Sequence, residues 1–354
     1  MKITRVTARE VEVPLEKPFV VSLGTISACE TVYVKLETDA GLVGYGEGAG
    51  LSFVTGETNG TVLNTVRLFE PVLLGQDPYA IAHIHRKMDE RIVRNSAAKA
   101  AVDLALYDLM AKGANLPLYK YLGGVSNTVE IDMTIGLDEP KSMAETAARL
   151  FKEGFRELKI KAGADDAQDE AAIRLIREAA PDAHLKVDAN QGWTVHRALG
   201  MLRIYAECGV EALEQPVPYW DLDGLKYIRD KSPIPIMADE SCFSPQDASK
   251  IVRLGAADII NIKLMKCGGL YRALQINDIA EAAGVNTMLG CMLESKLSIA
   301  AGAALVAARP NFIYADLDSF LEHGETALIR GSFEYETPFI RLTDTPGIGV
   351  ELDI

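Results

Sequence analysis

The sequence predicts an α/β protein, a (β/α)8-type barrel with an N-terminal α+β capping domain that the C-terminal segment completes. Three observations predict it. At 354 residues the chain is longer than one ordinary domain, for which about 150 residues is typical. Its first third alternates apolar and polar residues in strand fashion before turning helical. From about residue 129, eight short apolar segments alternate with helical stretches.

The capping domain is expected over residues 1–124. Residues 2–14 alternate, as do residues 30–38, with Val32, Val34 and Leu36 on one face. Asp39-Ala40-Gly41 turns the chain into Leu42-Val43-Gly44-Tyr45-Gly46, giving a hairpin. Ile81, Ile84, Met88 and Ile92 recur at helical spacing, and Asn95-Ser96 offers a cap for a helix from Ala97 to Lys112. Gly123-Gly124 closes the unit.

The barrel is expected over residues 125–324. Its candidate strands are 129–137, 157–163, 184–190, 212–217, 235–241, 258–265, 286–292 and 313–318. A spacing of roughly 25 residues leaves room for a right-handed crossover each time. An open doubly wound sheet is the rival, with six strands its usual number. Residues 325–354, with strand-like 331–336 and the turn Pro346-Gly347-Ile348-Gly349, are expected to return to the first unit.

Composition narrows the function. Acidic residues outnumber basic ones, 50 to 36, for a formal charge of −14. Such a surface repels nucleic-acid phosphates and anionic lipid heads, so neither is an expected partner. No run approaches the roughly 18 apolar residues of a membrane span, and the N-terminus lacks a secretory apolar block. Five scattered cysteines read as reduced thiols in the cytoplasm, not as a metal site.

Barrel strands should be apolar, so charges near their C-terminal ends stand out. Strand two reads Glu157-Leu158-Lys159-Ile160-Lys161, with both ammonium groups on one face. Strands three, four and five end in Asp188, Glu214 and Asp239, and strand six carries Lys263. From Lys161 the successive separations are 27, 26, 25 and 24 residues, about one βα unit each, which aims all five at one mouth. Singly, an Asp could cap a helix, and Lys159 with Lys161 could form a wet strand face. In register they point to chemistry. Three adjacent carboxylates repel unless a cation lies between them, and oxygen-only ligands suit Mg²⁺ or Mn²⁺. Lysines on either side of a cation-bound substrate carboxylate suit removal of the α proton, the neighbouring positive charges lowering a lysine's pKa.

With these residues in view, the chain resembles the enolase superfamily, in its muconate-lactonizing subgroup, over nearly its whole length. The resemblance rests on Ser96-Ala97-Ala98-Lys99-Ala100-Ala101-Val102-Asp103, Pro117-Leu118-Tyr119 and the Lys-x-Lys of strand two. It rests also on Asp188-Ala189-Asn190-Gln191-Gly192-Trp193, Glu214-Gln215-Pro216, Ala238-Asp239-Glu240-Ser241 and Asn261-Ile262-Lys263. It implies Asp188, Glu214 and Asp239 as Mg²⁺ ligands, Mn²⁺ being the alternative, and Lys161 and Lys263 as the two acid/bases. Lys159 is expected to lower the pKa of Lys161 and touch the substrate carboxylate.

Strand eight ends Asp316-Leu317-Asp318, two carboxylates that need a cation if they face the pocket. This Asp-x-Asp resembles that of the dipeptide epimerases, where it holds the dipeptide's α-ammonium group. The resemblance therefore implies a dipeptide substrate and a 1,1-proton transfer inverting the Cα of its C-terminal residue, in a homo-oligomeric enzyme. Muconate cycloisomerase, o-succinylbenzoate synthase and N-acylamino acid racemase reactions on the same lysines are the alternatives. Side-chain preference is expected from residues 17–26 and 48–58. Members that prefer C-terminal Glu tend to place an arginine in the first stretch; here it reads Ser22-Leu23-Gly24-Thr25. Gly24 and Thr25 are accordingly expected to meet a neutral or apolar side chain. Glu294 is expected as either a supporting partner of the site or a helix cap. Gly44-Tyr45-Gly46-Glu47-Gly48 partly mimics a dinucleotide fingerprint, but in a hairpin it reads as turn and loop flexibility.

Overall fold

The structure, a computed structural model, describes all residues except Ser22, Leu23, Ala164 and residues 324–327; for residues 16–25 and Asp166 it describes no side chains. Eight parallel strands form one curled sheet: Met133–Ile135, Glu157–Lys161, His184–Asp188, Val210–Glu214, Ile236–Ala238, Ile259–Lys263, Asn286–Gly290 and Phe312–Ala315. They lie side by side in strict chain order, without the reversal that a doubly wound sheet requires. The two ends of the sheet meet. Asp132 N donates to Ala315 O (3.0 Å), and Thr134 N donates to the Asp318 carboxylate (2.7 Å).

One expected strand divides in two. Thr128–Glu130 pairs antiparallel with Phe339–Leu342 of the C-terminal segment, and only Met133–Ile135 joins the barrel. The break falls at Asp132, which is buried and ion-paired to Lys186 at 3.2 Å. Inside the barrel, Ala212, Met237, Ile259 and Met288 form a small apolar plug with Tyr314 against it. Lys186 crosses this layer, pairing also with Glu157 and lying over the Tyr314 ring. Residues two further along each strand point the same way, so the plug is the floor on which the charged layer rests.

The N-terminal unit is a three-stranded antiparallel sheet, Ile3–Val21, Gly24–Thr38 and Val43–Gly48, backed by helices Asn59–Leu73, Ile81–Arg91 and Ser96–Gly113. Gly44, Gly46 and Gly48 share one face of the third strand. A methyl group at any of them would overlap a carbonyl of the helix Ser96–Gly113, at Ala105, Ala101 and Ala97 in turn. These glycines serve close sheet–helix packing, which corrects the expectation of turn flexibility. A second correction concerns the start of that helix. Asn95 is left-handed and makes no side-chain cap; the Glu57 carboxylate accepts from Ala97 N (2.9 Å) and Ala98 N (3.2 Å) instead.

Two buried carboxylates of this unit reach helix starts in the barrel. Glu47 accepts from Ser295 N and Oγ, both at 2.8 Å, and from Ser298 N (3.1 Å) at the head of helix Lys296–Ala308. Asp103 accepts from Leu270 N and Tyr271 N, the first residues of helix Leu270–Ala282, and from His85. Gly269, at φ +100°, leaves room for the Asp103 carboxylate. The C-terminal hairpin Phe333–Glu336 and Phe339–Leu342 pairs with Thr128–Glu130, and Ile348 N donates to Asp108 (2.8 Å). Among the described residues, no helix is long and apolar enough to cross a membrane.

Candidate active site

The second to the sixth barrel strands end at or beside a charged side chain. Lys161, Asp188, Glu214 and Lys263 are the last residues of their strands, and Asp239 directly follows its strand. Ligand atoms of Asp188, Glu214 and Asp239 lie within 4.8 Å of one another, and all three residues are buried. Lys161 Nζ donates to Asp188 Oδ2 (2.7 Å), and Lys263 Nζ pairs with Asp239 Oδ2 (2.9 Å). The two amines thus stand against different outer members of the acid cluster. Gly290 makes space for one of them, since a Cβ there would press on Asn261 and the Lys263 side chain. The oxygen-only donor set fits a hard divalent cation such as Mg²⁺.

Lys159 lies deeper than expected. Its Nζ is 2.8 Å from Asp316, 3.0 Å from Glu214 and 3.2 Å from Asp188, with 1% of the residue exposed. Burial alone would lower its pKa; Asp316, Glu214 and Asp188 outweigh burial and hold it well above the usual lysine range. Lys159 therefore ties the three-acid cluster to the Asp-x-Asp pair. The same balance acts on Asp188, where burial is overcome by Lys161 and Lys159 and the carboxyl falls to about 2. Glu214 goes the other way, pushed up to about 7 by burial and by Asp188.

Asp316 and Asp318 lie past the end of the eighth strand, Phe312–Ala315, and not on it, but both are buried and line the same pocket as Lys159, Lys161 and Lys263. Asp316 is already paired with Lys159, and its Oδ1 accepts from Thr134 Oγ1 at 3.4 Å. Asp318 accepts from Thr134 N and lies 3.8 Å from Cys291 Sγ. Burial and then Asp316 push Asp318 up to about 7. The apolar side of the pocket comes from Ile26, Leu51, Phe53, Val54, Met292 and Leu293.

The stretch expected to be a loop at residues 17–26 is largely a hairpin tip, with Phe19 opposite Ile26, Val20 opposite Thr25 and Val21 opposite Gly24. Ser22 and Leu23 lie outside the described residues, as do the side chains of Gly24 and Thr25. Glu294 is buried, its carboxylate accepting from Met292 N while Leu293 takes a left-handed φ of +65°. It shapes the wall segment 291–294 and caps no helix.

Three supporting residues escaped sequence reasoning. Asn261 Nδ2 donates to Glu214 Oε1 (2.7 Å), and the Lys266 ammonium meets Asp239. Gln215 Oε1 accepts from Asp239 N (2.9 Å) and Ser241 N (3.1 Å), while its Nε2 donates to Val217 O and Ser241 Oγ. Asn261 could have been found, since it precedes Lys263 by two on the same strand face.

Residues 142–354 match the family described as enolase C-terminal domain-like, and residues 3–123 match the N-terminal domain of mandelate racemase / muconate lactonizing enzyme. The chain is 45% identical over 353 residues to the hydrophobic dipeptide epimerase of Enterococcus faecalis, covering 99% of both chains. It is 40% identical over 355 residues to the L-Ala-D/L-Glu epimerase of Clostridium acetobutylicum, again with 99% of each covered. To the N-succinyl-L-Arg/Lys racemase of Bacillus cereus it is 36% identical, covering 100% of this chain and 96% of that one. The crystal structure of the Enterococcus faecalis V583 dipeptide epimerase complexed with Mg and the dipeptide L-Leu-L-Tyr superposes with a TM-score of 0.97, covering 99% of this chain and 100% of that one at 45% identity.

Proposed function

We propose that this chain, which belongs to the mandelate racemase / muconate lactonizing enzyme family of the enolase superfamily, is a Mg²⁺-dependent dipeptide epimerase. The observation that carries the reading is the pair of amines, Lys161 and Lys263, on different members of one buried three-acid cluster in one pocket. Asp188, Glu214 and Asp239 would hold the ion, with Mn²⁺ an acceptable substitute on the same oxygen donors. When bound, the ion draws charge from the substrate carboxylate and acidifies the neighbouring Cα–H.

The remaining work falls to the chain. One lysine takes the proton from one face of Cα, and the other returns a proton to the opposite face, so configuration inverts. Lys161 serves one epimer and Lys263 the other. Each must leave its carboxylate to act as a base, which Asp188 and Asp239 would allow once their oxygens are engaged in holding the ion. Lys159 stays charged against Asp316 and Glu214 and steadies the developing charge. Asp318, with no lysine of its own among the described residues, takes the larger share of the substrate α-ammonium, and Asp316 completes its seat.

Ile26, Phe53, Met292 and Leu293 favour a neutral or apolar side chain over glutamate, and no arginine lines the described part of the pocket. Five free cysteines support a reducing, cytoplasmic setting. The test is incubation of mixed L,L-dipeptides with enzyme and Mg²⁺ in D₂O. Deuterium should enter the Cα of the C-terminal residue as the L,D epimer forms, and apolar dipeptides should lead. Lys161→Ala and Lys263→Ala should each abolish epimerisation. No exchange with any dipeptide, or full epimerisation by either variant, would reject the assignment.

A further inference from the structure

Glu240 adjoins Asp239 and is 4% exposed, yet the mechanism above leaves it without a task. The carboxamide of Gln215 fixes the turn that aims it, accepting from the backbone N–H on either side, at Asp239 and at Ser241. One Glu240 oxygen accepts from Asn190 Nδ2 at 3.3 Å, and Asn190 N in turn donates to Asp188 Oδ1 at 2.9 Å. The other oxygen, Oε2, is buried with no hydrogen-bond partner among the described residues. Glu240 lines the pocket together with Lys161, Asn190, Asp239 and Lys263. It is outside the group of carboxylates whose ligand atoms fall within 4.8 Å of one another, so it is set one layer back from the ion's seat.

A buried carboxyl oxygen without a partner is costly, so a donor is expected to meet it. Mg²⁺ and Mn²⁺ hold several waters beyond three carboxylate ligands, and each such water points its hydrogens outward. We propose that Glu240 is a positioning residue for the cation, its free oxygen accepting a hydrogen bond from a water in the ion's coordination shell while Asn190 links it to Asp188. This rests on the three acids binding a divalent ion, and it assigns Glu240 the outer layer of that site.

The probe is Mn²⁺ alone, without dipeptide, titrated into the full chain and followed by electron paramagnetic resonance and calorimetry. Glu240→Gln should weaken Mn²⁺ binding by about tenfold or more, the usual loss for an outer-layer partner. Thermal stability of the metal-free protein should be unchanged or raised in the same variant, because the amide keeps the size of the carboxyl and removes an acidic group buried beside Asp239. Glu240→Asp, which withdraws the carboxylate by one methylene, should also bind Mn²⁺ more weakly. Affinity within twofold of the parent in Glu240→Gln would overturn the proposal, as would a drop in metal-free stability with unchanged affinity, the mark of a purely structural role. A parent chain that fails to bind Mn²⁺ would overturn the metal assignment as well, so the two failures are distinguishable.

Discussion

Replacing Lys159 with methionine keeps the volume and removes one buried charge. Three carboxylates then lose an ammonium at 2.8, 3.0 and 3.2 Å, in a place where 1% of the residue sees solvent. Breaking a buried pair by deleting one partner costs about 3–5 kcal/mol. A unit charge about 4 Å away at an effective dielectric near 20 gives about 4 kcal/mol, the same size. Metal-free Lys159→Met should therefore lose about 3–5 kcal/mol in urea unfolding. Mg²⁺ should recover more of that loss in the variant than it adds to the parent, because it supplies positive charge where Lys159 did and no longer faces a competing ammonium. Epimerisation should fall even when Mg²⁺ restores the fold. A metal-free loss below about 1 kcal/mol, the range of exposed pairs, would refute the picture of Lys159 as the tie between cluster and Asp-x-Asp pair. So would equal Mg²⁺ increments in parent and variant.

Further outcomes can be checked on the same protein. Asp318 ionises near pH 7 because burial and Asp316 hold its proton, so KM for dipeptides should rise as pH falls below 7, toward about tenfold per unit. Initial rates across pH 5.5–8.5 test this, and Asp318→Asn should raise KM and flatten the dependence. Glu47→Ala leaves two backbone N–H groups and a buried hydroxyl without their acceptor; calorimetry should show a loss of about 2–4 kcal/mol with the metal affinity intact. Gly46→Ala drives a methyl into the Ala101 carbonyl and should cost at least about 1–3 kcal/mol by the same method, whereas Gly41→Ala, with open space around it, should cost only its backbone strain.

Much of the site could be read from the sequence because its period is that of the βα unit. Lys161, Asp188, Glu214, Asp239 and Lys263 recur at nearly equal steps, and equal steps on parallel strands put side chains at one height. Strand positions agreed closely for the same reason, except at residues 128–135, where Asp132 turns inward to Lys186 and splits the run. Lys186 itself shows the limit. It pairs in register with Lys159 on the neighbouring strand, yet its ammonium meets Asp132 and Glu157 and not the acid cluster, and only the three-dimensional arrangement separates the two. Gln215 and Glu57 were invisible because their partners are backbone N–H groups, which carry no sequence signal. The glycines of the third strand misled because tolerance of positive φ and absence of a Cβ look identical in a sequence, and only the helix carbonyls beside them decide between the two.

Glu47 and Asp103 together hold five donors at the heads of two barrel helices. Swinging the whole lid away would strip both acids of those donors at once, and at about 1 kcal/mol or more for each lost bond the open form would be populated less than about once in a thousand. Substrate exchange is then expected through small displacements where Phe53 and Val54 of the capping unit line the pocket. Those two side chains border the bound substrate's place as well as its way out, so substitutions made there to broaden substrate choice should alter turnover too.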